Sequence, residues 1–105
     1  MIKIFKNLIS KNVSFYKISK RKKIYLYAGH VPNKVEYSDF IGLSLNHSNK
    51  NHIFHDVTNP FPLPDNCIDI FQSEDVFEHI EIDKIIKIWI ILDLQKIKFL
   101  ELNVN

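Results

Sequence analysis

Pro60, Pro62 and Pro64 fall at alternate positions within the segment HDVTNPFPLPDNCIDIFQSEDVFEHI, His55 to Ile80. A proline has no backbone N–H and a locked φ, so none of the three suits a helix interior or a central strand. Together they impose an exposed turn. Asp65-Asn66 extends it with side chains that bond nearby backbone. Cys67-Ile68-Asp69-Ile70-Phe71 follows, short and β-branched, as a buried parallel strand would be. Ser73, Glu74 and Asp75 come next, then Glu78-His79 at the front of a helical pattern. The order is strand end, loop, strand, loop, helix, and polar residues at the carboxyl end of such a strand are where open α/β sheets bind ligands.

The rest of the chain supplies matching parts. Ile24 to Ala28 is continuous, aromatic and β-branched, and reads as a first strand ending at Gly29-His30. Gly29 there either caps the strand or lets backbone approach a ligand. Asn33 to Ser38 is too short for a full crossover helix, so that helix is missing or replaced by a compact turn. Asp39 to Leu45 reads as a second strand, His47 to Asn51 as a polar loop, and His52 to Asp56 as a third strand and its end. Val76 to Leu94 has helical spacing, with Phe77, Ile80, Ile85, Ile88, Ile91 and Leu92 near one face. Ile85 to Leu92 is apolar nearly all round, which predicts that most of it is buried. Lys96 to Val104 alternates like a strand. The fold class is α/β: a Rossmann-like, mainly parallel partial sheet with flanking helices.

At 105 residues the chain is one domain at most, read as a basic helical arm over 1–23 and a domain over 24–105. Residues 1–23 hold eight Lys/Arg and no acid. Such an end can bind nucleic acid or anionic membrane, although a solvated, partly helical arm is the commoner outcome. Basic residues recur through it, so it has no apolar core of a signal peptide. No stretch is long and apolar enough to span a membrane, and a cytoplasmic location is expected. The single cysteine, Cys67, excludes an internal disulfide and reads as a small core residue. His52 and His55 are three apart on a strand and so face opposite ways, which argues against a metal pair. Asp75, Glu78 and His79 share a helix face and could meet a divalent cation, but the commoner outcome is that they complete a helix N-terminus, and no metal is expected.

The segment Asp56, Phe61-Pro62-Leu63-Pro64-Asp65-Asn66-Cys67-Ile68-Asp69 and Ser73-Glu74-Asp75-Val76-Phe77-Glu78-His79-Ile80 resembles the middle of class I S-adenosylmethionine-dependent methyltransferases. The resemblance implies the first four or five strands of that fold, with S-adenosylmethionine held near Gly29, Ser44, Asp56, Val57, Ser73 and Glu74. Gly29 stands at the first glycine of the family's glycine-rich loop, and His30, Val31 and Pro32 follow it. Ser44 stands where the family's ribose-binding acid ends the second strand. Asp56 and the Val57 N–H stand where the family holds adenine. The resemblance names neither the methyl acceptor nor a catalytic residue here. The family's Pro-Gly-Gly turn and later strands find no match beyond Ile85, so the expectation is a C-terminally truncated domain whose tail from about residue 86 is unrelated, with self-association through an apolar C-terminal helix. The alternative expectation is a catalytically inactive remnant or interaction module on the same partial fold.

Overall fold

A computed structural model describes residues 12–46, 48–73 and 80–102. Its elements are α1 (Phe15–Ile18), β1 (Tyr25–Ala28), a 3-10 turn (Val35–Tyr37), β2 (Phe40–Ser44), β3 (His52–Phe54), β4 (Ile70–Ser73), α2 (Ile82–Leu94) and β5 (Phe99–Leu102). The five strands form one sheet in the order β3-β2-β1-β4-β5, with every neighbouring pair parallel. The chain is therefore α/β, and its strand order is that of the first five strands of a doubly wound sheet, compatible with a Rossmann-like fold.

β1 sits at the centre because its residues tolerate burial on both faces. Leu26 and Ala28 are wholly buried in the main core, while Tyr27 packs with Val31 and Phe40 on the other face. The main core joins the sheet to α2: Ile88, Ile91 and Leu92 of the helix belong to one buried cluster with Leu26, Ile41 and Phe71 of the strands. Val13 and Ile18 join it, so residues 12–18 belong to the packed body. Ser14 caps α1, accepting from the Lys17 N–H at 3.2 Å. Residues 1–11 lie outside the described residues, as does the expected start of the C-terminal helix through His79.

The turn imposed by the prolines behaves as a zipper edge. Pro60, Pro62 and Pro64 are exposed, and Phe61 and Leu63 between them are buried. Gln95, at the end of α2, holds this segment. Its Oε1 accepts from the Phe61 N–H (2.8 Å), and its Nε2 donates to the carbonyls of Phe61 (3.0 Å) and Leu63 (3.2 Å).

Three sequence expectations need correction. The fourth strand pairs over Ile70–Ser73 rather than from Cys67, because Asp69 is held upstream: its Oδ2 accepts from the Ile24 N–H at 2.8 Å. The last strand is Phe99–Leu102, since residues 95–98 are used in the turn out of α2. Most of Ile85 to Leu92 is not buried: Ile86, Trp89 and Ile90 are exposed, because α2 contacts the sheet with one face and nothing among the described residues covers the other.

Candidate functional site

Local geometry at the ends of β1, β2 and β3 starts from one absent side chain. Gly42 lies in β2 opposite His52 in β3. A Cβ on Gly42 would collide with His52 Cδ2 and lie 2.7 Å from the Gly29 carbonyl oxygen. The missing side chain lets the imidazole lie across β2 and reach the segment after β1. There His52 Nε2 accepts from the Val31 N–H at 3.1 Å, so Nδ1 carries the ring hydrogen and faces the side-chain oxygens of Asn51 (2.9 Å) and Asn49 (3.2 Å). His30 stacks on the same ring, with centroids 4.6 Å apart. Gly29, at φ 104, turns the chain out of β1 in a conformation few other residues adopt. A compact turn thus replaces the crossover helix: residues 29–39 contain only the 3-10 turn at Val35–Tyr37.

The result is a cleft of ≈ 490 Å³ at the carboxyl ends of the first three strands, closed on one side by the first turn of α2. Gly29, Ser44, Asp56 and Val57, four of the residues expected from the sequence, line it together. Ser73 does not: it is wholly buried at the end of β4, and its Oγ has no hydrogen-bond partner among the described residues. Glu74, and the Asp75, Glu78 and His79 set, lie outside the described residues. Among the described residues no group of three His, Cys, Asp or Glu side chains is placed to hold a metal ion.

Ser44 and Asp56 are both shaped by their own turns. The Ser44 hydroxyl accepts from the Asn46 N–H at 3.0 Å. Asp56 Oδ1 accepts from the Thr58 N–H (2.9 Å) and the Thr58 hydroxyl (2.7 Å). The Thr58 N–H and hydroxyl, helped by His55 and Lys84, outweigh partial burial and hold the Asp56 carboxyl below its ordinary range. Asp56 is therefore an anion at neutral pH with one oxygen committed to its loop. Lys84 brings a cation into the same wall. It was missed from the sequence, although a lysine in the first turn of a helix, against the helix dipole, is a signal that it serves something nearby. His52 and Gln95 were missed as organisers because their partners are 21 and 34 residues away. Burial pushes the Cys67 thiol up, and with no activating partner among the described residues it is a group packed against the core rather than a nucleophile.

No family model, curated protein or solved structure matches this chain.

Proposed function

We propose that the cleft at the ends of β1–β3 binds S-adenosylmethionine, and that the chain is a methyltransferase-like domain acting on an acceptor that its own residues do not identify. The observation that carries this reading is the convergence of Gly29, Ser44, Asp56 and Val57 on one cleft at the carboxyl edge of a parallel sheet ordered β3-β2-β1-β4-β5. The residues fit the nucleoside end of the cofactor. Ser44 and Asp56 offer polar oxygens at the ends of adjacent strands, and Leu43, Leu45 and Ile80 provide apolar walls. At the amino-acid end Lys84 supplies a charge suited to a carboxylate, in place of the helix N-terminus that a crossover helix after β1 would present. When bound, the cofactor supplies an electrophilic methyl group on a sulfonium; the chain's contribution is to hold and orient it.

The same missing crossover helix favours a second reading, a nucleoside-binding module without transferase activity. Titration calorimetry on the full chain tests both. Saturable binding of S-adenosylmethionine, weakened about tenfold in Asp56→Asn, supports the site, because Asn keeps an acceptor for the Thr58 turn but loses the charge-assisted bond. Adenosine binding as tightly as the whole cofactor would favour the module. A folded sample that binds neither overturns both.

A further inference from the structure

The opposite end of the sheet, where the strands begin, holds a second cleft of ≈ 580 Å³. Arg21, Lys22, Lys23 and Lys50 stand in its wall, all exposed, with Asp39 as the acid among them. They come from two separate segments, the run directly before β1 and the loop between β2 and β3. The side chains of Arg21, Lys22 and Lys50 form no ion pair among the described residues. Tyr25 and Phe40, the first residues of β1 and β2, also line this cleft. They face each other in register with ring centroids 5.3 Å apart. The same row crosses the sheet through Ile70 to Phe99, which is 56% exposed. Parallel sheets ordinarily cover both faces with helices. Here, among the described residues, the only helices are α1 and α2, and both pack into the main core, leaving this row to the short segment after β1.

We propose that this end of the sheet binds single-stranded nucleic acid, with phosphates on the cations of the rim and a base against the Tyr25 side of the floor. The pairing of cations with aromatics is what such a ligand uses: backbone charge is neutralised in a groove while unpaired bases stack on rings. An anionic bilayer fits less well, because Phe40 is buried and Tyr25 half-buried at the bottom of a cleft that a flat surface cannot enter. A duplex fits less well because its bases are already stacked. The basic run of residues 1–23 leads directly into the rim and adds long-range attraction for a polyanion. This cleft lies at the strand ends opposite to Gly29, Ser44 and Asp56, so the inference is independent of the cofactor reading.

The test is fluorescence anisotropy of a labelled oligothymidylate of about 12 nucleotides, within the range of single-strand sites, added to the full chain. Saturable binding is expected, with log K falling against log salt at a slope of about −2 to −3, the value for three or four neutralised phosphates. Lys22→Glu with Lys50→Glu, both on exposed side chains, should weaken binding at least tenfold while leaving the thermal melt unchanged. Tyr25→Leu should weaken it about tenfold with the salt slope retained, since stacking does not release counterions. Three outcomes overturn the proposal: no binding at low salt by a folded sample; binding unaffected by the Lys22/Lys50 pair but abolished by Lys3→Gln, Lys6→Gln and Lys11→Gln together; or binding to phosphatidylserine vesicles without binding to the oligonucleotide.

Discussion

Lys96 follows α2 in left-handed backbone, at φ 53, where helices most often end on glycine. A side chain there carries a steric cost that glycine avoids. Lys96→Gly should therefore stabilise the chain by about 0.5–1 kcal/mol, the left-handed penalty less glycine's larger entropy of ordering, read as a higher midpoint in urea. Gly42 is the opposite case. Gly42→Ala forces a methyl group against His52 and the Gly29 carbonyl. It should cost about 1–3 kcal/mol, the usual range for overpacking, and loosen the turn at Val31, read as faster amide exchange at that N–H. Asp69 gives a pH signature. Partial burial alone would raise its carboxyl, but the Ile24 N–H and the Lys98 ammonium at 3.1 Å outweigh it and hold the group below its ordinary range. A lowered folded-state pKa means stabilisation that is complete above the unfolded pKa and disappears as the pH falls through the folded one. Asp69→Asn should cost about 1 kcal/mol at neutral pH, mainly through the weaker bond to Ile24, since the half-exposed Lys98 is screened. Urea melts of the two proteins should converge in acid below the ordinary carboxylate range.

At the level of elements, the coupling of α2 to the proline turn matters most. One buried side chain, Gln95, satisfies the Phe61 N–H and the carbonyls of Phe61 and Leu63. Gln95→Ala strands the Phe61 N–H and the Leu63 carbonyl, while the Phe61 carbonyl keeps the Leu63 N–H at 2.7 Å. It should cost about 2 kcal/mol or more, at about 1–3 kcal/mol for each buried polar group stranded; thermal unfolding by circular dichroism measures it. The turn itself was legible in the sequence because proline excludes alternatives, and β1 was legible because Ile24 to Ala28 is unbroken by polar residues. β4 was placed too early because Gln72 and Ser73 look like loop residues, although both are buried in the sheet. The helix was legible over Ile82–Leu94, and so was its inward face, because Ile85, Ile88, Ile91 and Leu92 share one side. The fate of the other side was not legible: Ile86, Trp89 and Ile90 look like core residues in the sequence and are exposed, because the sheet meets only one face. In the cleft, Gly29, Ser44, Asp56 and Val57 follow from strand ends and a local motif. Lys84 depends on how a distant helix is docked, and His52 on a glycine in a neighbouring strand.

Across the whole molecule, an α/β sheet has only two described helices to cover it. On α2, Ile82, Ile86, Ile90 and Leu94 recur every four residues, all more than half exposed, with Trp89 beside them. A continuous apolar stripe of this kind marks an interaction surface or an aggregation liability. Sedimentation should show concentration-dependent association of the wild type. Ile86→Lys with Ile90→Lys should lower it, with a stability change within about 0.5 kcal/mol for each exposed position. The strand order has a consequence in time as well as in space. β1 lies between β2 and β4, yet β4 does not begin until Ile70. At about 5–20 residues per second of synthesis, the chain from Ala28 to Ile70 takes a few seconds to emerge. During that interval the central strand has a neighbour on one side only, so a strand with three of its four residues buried in the finished sheet spends its early life as an edge, open to chaperones or to a second nascent chain.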